Sequence, residues 1–234
     1  MLSLPSFPFD ESALTLNPLL RCVPVLALLG FTACSTVTVV EPAPPAEAAQ
    51  PAETAETLAR RGHQLAEANR VDEAMAELSR ALALDPRQPL ALRDRAILLH
   101  AAGRQSEALA DIQLAAELKP DDMRTVGALC VIRVAAERSD AGLADCDRAL
   151  TLPGSKANGW TSKGQAQLLL GRNAEAVAAF NEALLVQANH MRALFGRGLA
   201  RQAAGDTVSG RIDMSLALKY LPGAGREYLG VKVS

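Results

Sequence analysis

Four cysteines and three histidines are the side chains of this chain best suited to chemistry, as thiolate nucleophiles, metal ligands or proton carriers. His63, His100 and His190 lie far apart, and none pairs with a second ligand at metal-binding spacing. No glycine loop of the phosphate-cradling kind and no nucleophile motif accompanies them. Catalysis, a metal and a cofactor are therefore not expected. The cysteines fall into two groups, with Cys22 and Cys34 in an apolar N-terminal segment and Cys130 and Cys146 far inside the chain. Their chemistry depends on where the chain resides and on which elements bring them together.

The 234 residues include 49% hydrophobic and 21% charged side chains, a foldable and water-compatible mixture. Aromatics make up only 3% while alanine and leucine abound, which favours helices. A net charge of −2 offers no electrostatic reason to bind nucleic acid or an anionic membrane surface.

Residues 1–34 read as a targeting segment. Arg21 precedes an uncharged run from Val23 to Phe31, too short to span a bilayer as a helix but of the length of a signal-peptide apolar region. The run ends in "GFTAC", which resembles a bacterial lipobox, and the resemblance implies cleavage before Cys34 and its acylation. Phe31 departs from the usual leucine, and Asp10, Glu11 and three prolines suit a signal poorly, consistent with a start site placed too far upstream. Ordinary cleavage with Cys34 incidental, or a weak anchor reaching Val40, are the alternatives. Residues 35–54, rich in proline, alanine and glutamate, read as an extended linker, able at ~3 Å per residue to hold the remainder of the chain up to about 60 Å from Cys34.

From Ala55 to Ala224 the sequence repeats every 34 residues, as blocks 55–88, 89–122, 123–156, 157–190 and 191–224, with a tail at 225–234. The eighth residue of the blocks is Gly62, Ala96, Cys130, Gly164 and Gly198, and the twentieth is Ala74, Ala108, Gly142, Ala176 and Gly210. The twenty-seventh is always alanine, from Ala81 to Ala217. Small residues in register allow two antiparallel helices to pack closely, with bulk beside them at the twenty-fourth residue: Leu78, Ile112, Cys146, Phe180 and Met214. Pro86, Pro120 and Pro222 end the second helix, and Gly103, Gly171 and Gly205 mark the turn between helices.

This pattern resembles the tetratricopeptide repeat family, most closely in "WTSKGQAQLLLGRNAEAVAAFNEAL" from Trp160 to Leu184. The resemblance implies an all-α, right-handed superhelical solenoid of five helix-turn-helix repeats. Block three departs from the family pattern at Glu137, Gly142 and Pro153, which marks it as the least stable unit. In such a hairpin the seventh and twenty-third residues face each other. Arg61 with Glu77, Arg95 with Asp111, and Arg197 with Asp213 are then ion pairs or independently solvated charges. Cys130 and Cys146, eighth and twenty-fourth in block three, likewise face each other. They form a disulfide, as exported members of the family can carry, or remain two small buried apolar residues.

The resemblance also implies a concave face made by the first helices, with groove residues at positions two, five, nine and twelve. By that rule His63, Arg93, Ile97, His100, Val131, Val134, Gln165, Leu168, Phe195 and Leu199 are candidate partner-binding residues, in a groove expected to be apolar at its middle. The positions used to clamp a C-terminal carboxylate do not match at Ala59, His63 and Asp94. The expected function is a non-catalytic scaffold for protein–protein interaction, held in the bacterial envelope facing the periplasm and touching the membrane only through its N-terminal lipid. An assembly factor for a pilus or secretion complex, and an exported repeat protein with a soluble partner, are the alternatives. The tail is expected to cover the last helix with Tyr228, Leu229 and Val231.

Overall fold

The computed structural model describes residues 53–225. Cys22, Cys34, the signal-like segment, the linker up to residue 52 and the tail beyond Gly225 lie outside the described residues. The described chain is all-helical, with ten α-helices arranged as successive hairpins of a repeat solenoid. Its first helices are α1 (Ala55–Glu67), α3 (Pro89–Ala101), α5 (Met123–Glu137), α7 (Lys156–Leu169) and α9 (Met191–Ala203). Each packs against the second helix of its repeat: α2 (Val71–Leu84), α4 (Gln105–Leu118), α6 (Leu143–Thr151), α8 (Asn173–Val186) and α10 (Thr207–Tyr220).

Local chemistry sets the ends of these helices. Thr54, Gln88, Asp122 and His190 each cap a first helix by accepting a hydrogen bond from a backbone N–H three residues on. Between the helices the chain turns through the left-handed region at Asn69, Gly103, Gly171 and Gly205. Glu137 occupies that slot in repeat three and stays helical. The chain instead extends α5, takes the left-handed turn at Arg138 and passes through a short 3-10 turn, Asp140–Gly142, into α6, the shortest of the helices. The departures seen in block three are thus absorbed as one deferred turn and a truncated second helix.

The small residues at positions eight, twenty and twenty-seven are all buried. Opposite the eighth stands the twenty-fourth, and the two volumes compensate. A Cβ on Gly62 would lie 2.7 Å from Leu78, and one on Gly164 would lie 2.8 Å from the Phe180 ring. In repeat three the same slots hold Cys130 and Cys146, with Cα atoms 5.2 Å apart and their sulfurs joined in a disulfide. Here the close helix contact is supplied from the other side, because a Cβ on Gly142 would stand 2.7 Å from the Cys130 carbonyl oxygen.

Two larger cores flank this hairpin. One runs through α1 to α5, from Leu58 to Ile132, and the other through α7 to α10, from Leu168 to Ala224. Between them Cys130, Val134, Cys146 and Ala166 form a small cluster of their own. The hairpins also carry ion pairs at the expected register. Arg95 donates two hydrogen bonds to Asp111, at 2.6 and 2.8 Å, and Arg197 does the same to Asp213, at 2.7 and 2.8 Å. Arg61 reaches Glu77 at a looser 3.4 Å and shares itself with Glu53 at 2.7 Å. In repeat three, where Leu129 takes the arginine's place, Arg133 from the next turn of α5 reaches Asp145 instead.

Two outcomes test this packing. Gly198→Ala should destabilise the protein by ~1–3 kcal/mol in urea unfolding, because the new methyl meets the Gly210 carbonyl oxygen at 2.7 Å, a backbone atom that cannot step aside. Gly62→Ala should cost less, since the closest neighbour is the Leu78 side chain, the nearest backbone atom, the Ala74 carbonyl oxygen, stands further off at 3.3 Å, and alanine favours the helix. Reduction of the Cys130–Cys146 bond, which closes a loop between residues 16 apart, should lower stability by about 3 kcal/mol. That sensitivity to reductant should vanish in the double variant Cys130→Ala, Cys146→Ala, and its persistence there would show another cause.

Candidate functional site: the concave groove

The first helices stack so that their second, fifth, sixth and ninth positions share one face, and on that face lies an open cavity of about 310 Å³. Its floor is apolar, made by Ile97 of α3 and by Ala128, Val131 and Ile132 of α5. Its walls are polar: Arg93 and His100 of α3, Arg124 of α5, Asn158, Thr161, Ser162 and Gln165 of α7, and His190 and Arg192 at the start of α9. Glu67, at the end of α1, is the one acidic residue lining it among the described residues.

Of the residues expected in the groove, Arg93, Ile97, His100, Val131 and Gln165 meet at this cavity. His63 stands one repeat away, its Nδ1 2.8 Å from Asp94 Oδ2, linking α1 to α3. Val134 is fully buried in the disulfide cluster, Leu168, Phe195 and Leu199 are buried in the core of the last two repeats, and none of the four lines this cavity. The chain after α10 also brings Gly225 against the Phe195 ring, where an added Cβ would lie 2.6 Å away. These apolar side chains bond repeat to repeat rather than face a partner.

The middle of the cavity is apolar at Ile97, Ala128, Val131 and Ile132, but polar residues that the apolar pattern does not reveal surround it. Arg124, Asn158 and Arg192 all occupy position two. Reading that one register along the five blocks (Glu56, Leu90, Arg124, Asn158, Arg192) shows two arginines in its C-terminal half. That is the signal by which they are found.

Arg93 is the most enclosed of the cavity's cations, at 7% exposure. Its Nε donates to Asp94 Oδ1 at 2.8 Å and its Nη1 lies 3.5 Å from Asp122 Oδ2, while Nη2 has no hydrogen-bond partner. Burial alone would raise the Asp122 pKa, but the Thr125 hydroxyl, Arg93 and backbone N–H groups together hold it below the ordinary carboxylate value. Arg124 is exposed and has no ion-pair partner among the described residues. No cluster of three or more His, Cys, Asp and Glu side chains is placed to hold a metal among the described residues.

His190 joins α9 to α7. Its Nδ1 accepts from the Ala193 N–H at 3.2 Å, which assigns the proton to Nε2, 2.8 Å from Asn158 Oδ1. Burial first, and the charge of Arg192 second, lower its pKa below the ordinary value.

The class of protein is thus a helical repeat solenoid with a polar-walled concave groove. Residues 157–190 match the tetratricopeptide repeat family model, and the chain has the fold of tetratricopeptide repeat proteins. TTC0263, a thermophilic TPR protein of Thermus thermophilus, is 22% identical with a TM-score of 0.61, over 72% of this chain and 92% of that one. PilW, a widely conserved type IV pilus biogenesis factor, is 18% identical with a TM-score of 0.56, over 72% and 78% of the two chains. Pseudomonas aeruginosa pilF is 16% identical with a TM-score of 0.52, over 70% and 75%. At these identities the likeness is one of fold. No curated protein matches the chain.

A pH dependence arises from His190. Its folded pKa lies below the unfolded value of about 6.5, so its contribution to stability is complete above that pH and is lost as pH falls toward the folded pKa. The urea midpoint should therefore drop between about pH 7.5 and about pH 5. His190→Asn, which keeps an N-cap acceptor without a titrating ring, should flatten that drop. An unchanged slope in the variant would assign the dependence elsewhere.

Proposed function

We propose that this chain is a non-catalytic scaffold that holds a segment of another protein in the concave groove, anchored in the bacterial envelope through an acylated Cys34. The observation that carries the reading is the cavity itself. It spans the first helices of successive repeats and combines apolar with hydrogen-bonding lining, as the seat of a peptide segment requires. No helix among the described residues is long and apolar enough to cross a membrane, and the lipid at Cys34 supplies the membrane contact in this reading. Periplasmic residence also accounts for the Cys130–Cys146 bond, since that compartment oxidises facing thiols.

A second reading, an assembly factor for a pilus or secretion complex, is favoured by one observation. Two of the similar structures, PilW and pilF, share the fold over most of this chain, and PilW is a type IV pilus biogenesis factor. The two readings differ in the partner, one protein segment or subunits of a large assembly.

A photo-crosslinking residue placed at Ser162, on the groove wall, should capture the partner in intact cells, whereas one at the exposed Glu182 of α8 should not. Equal capture from both positions would refute the groove as the binding face. Cys34→Ser should move the protein from the membrane to the soluble envelope fraction, and an unchanged membrane fraction would refute the lipid anchor.

A further inference from the structure

The charged side chains that line the groove are mostly basic, although the chain as a whole is not. The whole chain is net negative, with 24 basic and 26 acidic residues, yet three arginines and a single glutamate line the cavity. Resting on the groove as the binding face, we propose that the segment it takes is acidic, with side-chain carboxylates seated against Arg93, Arg124 and Arg192.

Arg93 carries the argument furthest. A guanidinium has five N–H donors arranged to meet carboxylates two bonds at a time. Here Asp94 accepts only from Nε, and shares its other oxygen with His63 at 2.8 Å. Asp122 lies at 3.5 Å from Nη1, and its near oxygen is already engaged by the Thr125 backbone N–H and hydroxyl. Neither carboxylate takes the fork in this arrangement. Nη2 is left buried without an acceptor in a side chain that lines the cavity, a costly state for a charged donor. A carboxylate entering from the groove lets the guanidinium rotate off its long contact with Asp122 and present two donors to one acceptor group.

Arg124 extends the same preference along the groove. It is exposed, lines the cavity, and has no ion-pair partner among the described residues, so an incoming carboxylate need not displace one. Arg192 adds a third positive charge on the α9 side, near enough to His190 to depress that ring's protonation. With the open Arg93 donor on α3, Arg124 on α5 and the charge of Arg192 on α9 spread along the groove, a run of acidic side chains fits it better than a lone chain terminus. Between them Ile97 and Val131 form an apolar bed for the methylenes of glutamate side chains.

The test uses the full chain and fluorescence anisotropy with a labelled dodecapeptide of alternating Glu and Ala, acetylated and amidated so that it has no terminal charge. The Gln–Ala isostere is the control. The Glu peptide should bind on the order of tenfold more tightly than the isostere at about 50 mM salt, and the advantage should shrink by about 300 mM. Arg124→Glu, an exposed substitution that leaves the core intact, should weaken the Glu peptide by about tenfold or more and leave the isostere unchanged. Equal binding of the two peptides, with both displaced by Thr161→Trp in the cavity wall, would overturn the acidic preference while leaving the groove as the binding face. Binding of the Glu peptide that is untouched by Arg124→Glu but lost in Arg148→Glu, on α6, would overturn both. If the peptide binds only with a free C-terminal carboxylate, the side-chain reading is overturned in favour of a chain terminus.

Discussion

The contact between the eighth and twenty-fourth residues of each hairpin is the constraint on which the rest of the structure depends. It sets how closely a first helix approaches its second, and each repeat solves it with a different division of volume. Glycine faces leucine in repeat one, alanine faces isoleucine in repeat two, and glycine faces phenylalanine in repeat four. Repeat three divides the volume evenly between two cysteines and joins them. Solenoids of this kind hold together only through neighbouring repeats, so the joint between two flanking cores cannot be bypassed. The disulfide lies at that joint, where the second helix is shortest and the turn least regular.

The groove is built across the same joint. α5 carries Cys130 and Val134 on its buried side and Arg124, Ala128 and Val131 on the cavity side, so the helix fixed by the disulfide is also the helix at the centre of the groove. Charge is partitioned with similar economy. Arg95 and Arg197, at position seven, are held within their own hairpins by Asp111 and by Asp213, the latter shared with Arg201. Arg124 and Arg192, at position two, lie outside that matched register and on the cavity wall. The net charge of the chain therefore says little about what its concave face attracts.

The period of 34 residues made the helices, the hairpin pairing and the facing of Cys130 with Cys146 legible before any coordinates, because close packing leaves small residues in strict register. The ion pairs at positions seven and twenty-three were legible for the same reason, and the alternative of solvated charges gave way to bonded geometry. The character of the groove was not. Val134 and Leu168 share position twelve with His100, yet they are buried in core clusters while His100 lines the cavity. Periodicity along one helix assigns a face, but the depth of the next repeat decides whether that face is open. The deferred turn at Arg138 was equally hidden, since the absence of glycine at Glu137 signals a departure but not that Arg138, itself not a glycine, takes the left-handed conformation one residue later.

The Cys130–Cys146 bond makes a demand on the environment, since it persists where thiols are not kept reduced. That demand matters for the groove because of volume. With the bond open, two thiols would occupy slots that elsewhere hold a side chain as large as Phe180, and the close approach at Gly142 would rest on dispersion alone. The loosened hairpin would be the one that carries Arg124 and the cavity floor. A chain that must present that face intact therefore has a physical reason to reside where the sulfurs stay joined.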